Sequence, residues 1–241
     1  MNTQAQAQIY LAEQRGHSES DNHQSEYTFN YGVYCAEGRE PFGALYLIND
    51  ERLTAEASVS WQVDEPTEVV LLPVMGELDY SLNDSVTSLV PGQAGILSLT
   101  AGVSYSVTNP YPSESINFMQ FWLKKPVSDF SAVAGQSGFD LTQPNTLLPL
   151  FGESDPEAAT GYQGFIGRYS GRQNSVYVVR PVIDGRKRRI FVFVLQGAFE
   201  VANRLLHQKD GLALEFDQTG EVEFEALSND ALLILIDLLR E

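Results

Sequence analysis

The chain has 241 residues, enough for one large or two small domains, each with its own hydrophobic core. Hydrophobic residues make up 43% of it and charged residues 20%, the balance of an ordinary globular protein. The formal charge of −17 argues against nucleic acid as a partner, because phosphate binding needs a basic face, and it disfavours anionic membrane surfaces.

The sequence also predicts where the protein resides. No apolar run approaches the roughly 20 residues that span a bilayer, and the N-terminus lacks the basic-then-apolar pattern of a secretion signal. The single Cys35 allows no internal disulfide, which fits a reducing compartment. We therefore expect a cytoplasmic protein that does not enter a membrane.

Strand signals dominate in chain order. Short alternating or apolar runs are bounded by Gly, Pro, Asn and Asp, a pattern typical of an all-β sandwich or barrel. The predicted strands are residues 44–48, 57–63, 68–74, 77–82, 95–99, 104–107, 116–123, 164–169, 175–182, 189–195, 198–202, 211–216, 221–226 and 231–238. Helical periodicity is scarce, and we predict only short helical turns at 129–135 and 145–151.

A repeat divides the chain. Gly76 and Gly197 each follow an apolar strand and precede an alternating one, and Gly92 and Gly211 come next at spacings that differ by two residues. Such self-similarity predicts two copies of one small β-barrel. A stretch rich in Ser, Gly, Pro and Asp separates the copies. The predicted parts are an N-terminal barrel at 1–125, a linker at 126–160 and a C-terminal barrel at 161–241.

Several stretches carry a family resemblance. The most specific is Phe42-Gly-Ala-Leu-Tyr-Leu-Ile-Asn-Asp-Glu-Arg-Leu53, and the others are residues 26–32, 68–79, 89–92, 100–102 and 118–122. In this order they resemble the markers of the pirin family of bicupins, which includes quercetin dioxygenase-like bacterial members. The resemblance covers essentially the whole chain. It implies an all-β fold of two tandem cupin (jelly-roll-like) β-barrels with few short helices.

The resemblance also implies a metal. The family holds one metal ion, usually iron, in its N-terminal barrel with three histidines and one glutamate. Carried onto this sequence by position, the His-x-His pair falls on Gln62 and Asp64, and the two later ligands fall on Val107 and Asn109. Iron, nickel or copper needs imidazole and carboxylate ligands together. We therefore predict a degenerate metal site, with no metal cofactor and no catalytic residue retained.

Other histidines are poor substitutes. The chain has only His17, His23 and His207. The first two precede the predicted barrel strands, and His207 lies in a connection of the second half. A redox-active metal centre is therefore not expected in either half.

A barrel without metal can still bind. Alternation along a strand places Gln62 and Asp64 on one face, and Tyr105 on the same face as the two later ligand positions. With Glu68 they predict a pocket that is acidic at one end. A few ordered waters in the interior are the simpler alternative. The favoured function is a module that binds a small aromatic ligand or a regulatory protein partner; the alternative is a metal-dependent quercetin 2,3-dioxygenase with an atypical ligand set.

A basic cluster follows the hairpin signal Asp184-Gly185. It gathers four of the fifteen cations of the chain. Its residues are Arg186, Lys187, Arg188 and Arg189. They are either a charged edge strand, which discourages sheet-to-sheet pairing, or a docking patch for an acidic partner or anionic ligand.

Overall fold

The computed structural model of the protein describes residues 6–125, 132–152, 161–180 and 187–239. In these ranges the only helical element is a 3₁₀ turn at Ala12–Gln14, and every paired strand runs antiparallel to its neighbour. The predicted all-β class is therefore confirmed. Within the same ranges no helix has the length and apolar character that a membrane span requires.

The strands are numbered in chain order. The first are β1 (Gln6–Tyr10), β2 (Gly16–Glu19), β3 (His23–Tyr27), β4 (Leu45–Leu53), β5 (Ser58–Gln62), β6 (Thr67–Met75), β7 (Leu78–Leu82), β8 (Ser85–Leu89), β9 (Gln93–Leu99), β10 (Ser104–Thr108), β11 (Ile116–Lys124) and β12 (Val133–Gly138). The others are β13 (Leu148–Gly152), β14 (Tyr162–Tyr169), β15 (Asn174–Val179), β16 (Arg188–Gln196), β17 (Phe199–Val201), β18 (Arg204–Leu206), β19 (Gly211–Phe216), β20 (Gly220–Ala226) and β21 (Ala231–Leu239).

The chain forms two compact units with the same plan. The N-terminal unit, Arg15–Phe139, has one sheet ordered β12-β9-β6-β11-β4-β3-β2 and another ordered β5-β10-β7-β8. The C-terminal unit has sheets ordered β1-β19-β16-β21-β14-β13 and β15-β20-β17-β18. The inner strands β9-β6-β11-β4 of one unit correspond to β19-β16-β21-β14 of the other. This shared order confirms the predicted repeat of two barrels.

Each unit closes its two sheets over a separate apolar core. Alternation turns every second side chain inward, so Val69 of β6 and Phe118 of β11 face Tyr80 of β7 and Val107 of β10 in one cluster. Val192 of β16 belongs to the equivalent cluster of the C-terminal unit. Burial of this apolar surface is the main stabilising contribution to each barrel.

The observed boundaries differ from the predicted ones. The segment predicted as a linker contains β12, which pairs with β9, and β13, which pairs with β14. The N-terminal strand β1 pairs with β19 and lies in the C-terminal unit. All three strands lie at the edges of their sheets. An edge tolerates Pro149 in β13 and the glycines of β12 and β13, and in these two strands such residues hide the strand pattern.

In the described residues, neither segment predicted as a helical turn forms a helix. Residues 145–151 overlap β13 and form no helix there. Of residues 129–135, the first three lie outside the described ranges, and the last three belong to β12. Edge pairing accounts for both differences, because the backbone of each segment bonds to a neighbouring strand.

The repeated glycine after the apolar strand has a strict steric role. Gly197 has φ +79°, and a Cβ there would lie 2.3 Å from the Ser228 Oγ and 3.1 Å from the Ala231 Cβ. An alanine here would adopt an unfavourable left-handed backbone conformation, and its Cβ would also clash with its neighbours. Because the two costs add, Gly197→Ala should lower the free energy of unfolding by at least about 2 kcal/mol. Gly138→Ala is the control, since no heavy atom lies within 4 Å of its Cβ position. Equal denaturation midpoints for the two variants would contradict this prediction.

Candidate functional site

A buried carboxylate lies inside the N-terminal barrel. Glu51 faces inward from β4 and is fully buried. Its Oε2 accepts a hydrogen bond from His23 Nε2 at 2.7 Å, and its Oε1 accepts from Gln120 Nε2 at 2.6 Å and from Asn49 Nδ2 at 3.1 Å. These three hydrogen bonds offset the free-energy cost of removing the carboxylate from water.

The network continues from Gln120 into two aromatic side chains. The Gln120 Oε1 accepts from the Tyr105 hydroxyl at 2.6 Å and from Trp122 Nε1 at 3.1 Å. Trp122 Nε1 also lies 3.0 Å from the Tyr105 hydroxyl. Burial raises the pKa of Tyr105 well above its ordinary value, so its hydroxyl remains a donor at neutral pH.

The aromatic part of the network, Tyr105 and Trp122, lies near one end of the barrel. Strands β4, β6 and β10 begin at this end and β5 and β11 finish there, because neighbouring strands are antiparallel. Trp61 of β5 lies opposite Tyr105 of β10, and their rings stack with centroids 5.6 Å apart. His23 meets the edge of Trp61 at 5.9 Å. Side chains thus fill this part of the interior.

Two tyrosines extend these rings toward solvent. Tyr31 and Tyr46 are half-buried, and each meets Trp122 nearly at a right angle, at centroid distances of 6.1 Å and 5.7 Å. The pairing of β4 with β11 is irregular here, so Tyr46 has no residue opposite it and packs against the interior cluster. We call Tyr31, Tyr46, Trp61, Tyr105 and Trp122 the aromatic cluster.

The predicted first pair of site residues faces outward. Gln62 and Asp64 are exposed, and the Gln62 Nε2 donates to the Gly102 carbonyl at 2.8 Å. Trp61 and Val63 are the buried residues of this segment. A shift of one residue along a strand exchanges its two faces, and each predicted position lies one residue beyond an inward-facing one. The expectation that Gln62 and Asp64 face the interior is therefore wrong.

The later pair is buried but does not line an open pocket. Val107 packs in the apolar core and offers no polar atom. Every hydrogen-bonding group of the Asn109 side chain is engaged by backbone of nearby loops. Its Nδ2 donates to the carbonyls of Leu53, Thr54 and Glu114, and its Oδ1 accepts from the Tyr111 amide.

The structure does not bring together the two predicted pocket-lining residues, Tyr105 and Glu68. Tyr105 points into the interior, as its strand parity indicates. Glu68 is buried but lies on the other face of β6 from Val69. Its Oε2 lies 3.4 Å from Lys125 Nζ and 3.4 Å from Ser98 Oγ. Glu68 therefore contributes to the outer side of the sheet and not to the interior.

The cations of the predicted docking patch are compensated by carboxylates. Arg188 is buried, with its Nε 2.5 Å from Asp237 Oδ1 and its Nη2 3.0 Å from Asp237 Oδ2. Lys187 Nζ and Arg189 Nε lie 3.3 Å and 2.7 Å from oxygens of Glu215. Arg186 lies outside the described residues. The described cations of this cluster thus do not form an uncompensated basic surface.

The interior does not fit the mononuclear metal of the family. Val63 and Val107 carry no ligand atom, the Trp61 indole can only donate, and the Tyr105 hydroxyl is already bonded. Across the described ranges, no group of three or more His, Cys, Asp or Glu side chains is arranged to hold a metal ion. No chemical step through a metal can be derived from these residues.

Sequence reasoning missed the centre of the network. His23 was assigned to a segment before the barrel, whereas it lies in β3 and pairs with Leu53 of β4. Asn49 and Glu51 share the inward parity of Leu47 and Leu53. Polar residues at buried positions of an alternating strand are the signal that could have identified them.

The sequence has relatives among quercetinases and pirins. Residues 172–238 match the quercetinase C-terminal cupin domain. Quercetin 2,3-dioxygenase of Escherichia coli (strain K12) is 23% identical over 233 residues, which cover 95% of this chain and 98% of that protein. Pirin-like protein YhaK of the same organism is 30% identical over 103 residues, 42% of this chain and 43% of that protein.

Solved structures share the whole fold. The bacterial pirin YhhW from Escherichia coli, in complex with nickel(II), superposes with a TM-score of 0.81 at 20% identity, covering 98% of this chain and 100% of that one. Quercetin 2,3-dioxygenase from Acinetobacter baumannii superposes with a TM-score of 0.72 at 15% identity, covering 96% and 85%. With the paired barrels and the matched C-terminal domain, the chain has the bicupin fold and resembles pirins and quercetinases over nearly its whole length.

Proposed function

We propose that this bicupin acts by binding, as a small-molecule-binding or protein-interaction module that uses no metal. The observation that carries the proposal is the filled end of the N-terminal barrel. There the Trp61–Tyr105 stack takes the interior positions of β5 and β10, and the Gln120 amide is hydrogen-bonded to Tyr105, Trp122 and Glu51.

Physical chemistry supports binding over oxygenase activity. A mononuclear oxygenase centre needs several imidazole or carboxylate ligands around one point and an open position for the reacting molecule. Glu51 is the buried carboxylate here, and its two oxygens already accept three hydrogen bonds. Freeing it for a metal would leave those buried donors without partners, at about 1–3 kcal/mol each.

The second candidate is a metal-dependent quercetin 2,3-dioxygenase with an atypical ligand set. One observation favours it: His23 and Glu51 bring an imidazole and a carboxylate within 2.7 Å in the same barrel. The relatives that carry the dioxygenase name span nearly the whole chain. Two such ligands are fewer than the family's four, so this candidate requires a rearrangement of Gln120 or Asn49 toward the metal.

Metal content and oxygen uptake separate the two candidates. After incubation with iron, nickel or copper and gel filtration, we expect the purified full-length protein to retain substoichiometric metal. Oxygen consumption with quercetin should equal that of quercetin alone, because the described residues offer no group of His, Cys, Asp or Glu side chains arranged to hold the metal. Elemental analysis and an oxygen electrode measure both quantities.

A matched pair of histidine variants sharpens this test. One metal ion per chain that is lost in His23→Ala but kept in His17→Ala would overturn the proposal, since His17 is exposed and its carboxylate partners are Glu19 and Glu26. Quercetin-dependent oxygen uptake with the same dependence on His23 would establish the dioxygenase.

A further inference from the structure

An open groove lies between the edges of the two sheets of the N-terminal unit. Its walls are β8, an edge strand of the four-stranded sheet, and β12, an edge strand of the seven-stranded sheet. The groove has a volume of about 550 Å³, and its floor includes Tyr80 and Leu82, which are 2% and 6% exposed. This volume is within the range of sites that bind organic ligands. No lining side chain is charged, and the other lining residues are Asn83, Ser85, Thr87 and 132–136.

The edge of β8 turns main-chain groups toward β12. The Ser88 carbonyl accepts a hydrogen bond from Gln136 Nε2 of β12 at 3.1 Å, so it points away from β7. In an antiparallel strand, residues two positions apart direct their N–H and C=O groups to the same side. The N–H and C=O of Val86 therefore also point away from β7, and across the described ranges β8 pairs with no other strand. These two groups are available to an added strand.

Neither wall carries the residues that usually protect a sheet edge. Proteins guard exposed edges with charged side chains, prolines, bulges or a covering segment. β8 reads Ser-Val-Thr-Ser-Leu and β12 reads Val-Ala-Gly-Gln-Ser-Gly, without charge or proline, and β12 pairs with β9 in a regular register. The edge strand β13, in contrast, contains Pro149 and an irregular register. The two walls thus retain the capacity to pair with another strand.

The charges beside the groove are negative. β7, β8, β12 and the turn that joins β7 to β8 contain Asp79 and Asp84 but no lysine, arginine or histidine. Asp84 is exposed, and Asp79 lies on the opposite face of β7 from Tyr80. A strand added beside β8 would therefore meet the apolar floor on its inward face and carboxylates near its outward face. This arrangement is complementary to a peptide in which apolar and basic side chains alternate.

We propose that the groove binds an extended peptide segment with alternating apolar and basic side chains, which pairs with β8 as an added antiparallel strand. This inference rests on the proposed function and names the class of its partner. Hydrogen bonds to the Val86 main chain supply affinity, and Tyr80 and Leu82 select apolar side chains on the inward face. Asp79 and Asp84 mainly accelerate association with the basic side chains.

Fluorescence anisotropy offers a direct test. The probe is the labelled peptide Lys-Val-Lys-Val-Lys, and its anisotropy should rise and saturate on titration with the full-length protein. The control peptide has the same sequence with a methyl group on every main-chain nitrogen, so it keeps its charge but cannot donate main-chain hydrogen bonds to a strand. The control should give no saturable response. No saturable response to the unmethylated peptide, or an equal response to both peptides, would overturn the inference.

Variants on both walls locate the site. Val86→Pro removes the N–H that faces the groove and should weaken peptide binding about tenfold, the loss expected for one main-chain hydrogen bond. Val86→Thr retains that N–H and should bind as the unmodified protein does. Ala134→Phe introduces a large ring into the opposite wall and should also weaken binding. Val178→Pro, at a similarly exposed valine of the edge strand β15, should leave binding unchanged.

Two further outcomes would contradict the inference. Equal affinities of Val86→Pro, Ala134→Phe and the unmodified protein would mean that the peptide binds elsewhere, and circular dichroism checks that both variants fold. A dimer in sedimentation velocity that Val86→Pro dissociates, together with no peptide binding, would assign the groove to a second copy of the chain.

The two proposals fail separately. A metal-free protein without oxygen uptake that does not bind the peptide contradicts the partner class alone. Stoichiometric metal with quercetin-dependent oxygen uptake contradicts the proposed function, and then the inference that rests on it.

Discussion

Replacing Glu51 by leucine should lower the free energy of unfolding of the N-terminal unit by about 3–5 kcal/mol, the range for removing one partner of a buried charged network. The variant fills the space of the carboxylate with an apolar group. It leaves the partly buried His23 ring and the buried amides of Asn49 and Gln120 without their acceptor. Each unsatisfied donor adds a desolvation penalty.

Two variants control for this result. Glu51→Gln keeps the shape and one acceptor oxygen, so its loss should be smaller, about 1–2 kcal/mol. Glu40→Leu replaces an exposed glutamate of the same unit and should change stability by less than about 0.5 kcal/mol. Urea unfolding followed by tryptophan emission measures all three, because Trp61 and Trp122 lie in this unit. Equal midpoints for Glu51→Leu and Glu40→Leu would disprove the central role of Glu51.

The interior strands could be predicted from the sequence because a strand buried on both faces needs a nearly continuous run of apolar residues. Residues such as 116–123 and 189–195 are apolar runs buried on both faces, and the structure has strands at Ile116–Lys124 and Arg188–Gln196. Edge strands were missed because they bury little. All but one of the residues of β12 are exposed, so its sequence Val-Ala-Gly-Gln-Ser-Gly carries no hydrophobic alternation.

The candidate site could be predicted only in part. Tyr105 lies in the interior core, on the face that strand parity alone indicates. Gln62 and Asp64 were expected on the inner face, because a family resemblance fixes a strand register only to within a residue where the residue types differ from the family's. The bond from His23 to Glu51 joins residues 28 positions apart, and only the β3–β4 pairing brings them together.

The basic cluster shows the same difference between a pattern that is local in sequence and contacts that only strand pairing creates. From the sequence, four consecutive cations indicate a charged surface. In the barrel, strand alternation turns Arg188 inward toward Asp237 while Arg189 stays outside with Glu215. The acidic partners are distant in sequence and come from β19 and β21. Charge composition therefore predicts the cluster but not its partners.

Breaking the buried Arg188–Asp237 pair should cost the C-terminal unit about 3–5 kcal/mol in Arg188→Met, because an uncompensated carboxylate then remains inside the barrel. Asp237 is fully buried, and after the change its remaining partner in the network is the Tyr177 hydroxyl, which donates to Oδ2 at 2.6 Å. Arg189→Met is the matched control. Its partner Glu215 is partly exposed, so the expected loss is below about 1 kcal/mol.

A double variant tests the cause. Arg188→Met combined with Asp237→Leu removes both charges and should recover most of the stability lost in Arg188→Met, because no buried charge is left unpaired. Far-ultraviolet circular dichroism during urea unfolding measures all the variants, since both tryptophans lie in the other unit. If Arg188→Met and Arg189→Met lose the same stability, Arg188 behaves as a surface cation, and the buried pair does not stabilise the C-terminal barrel.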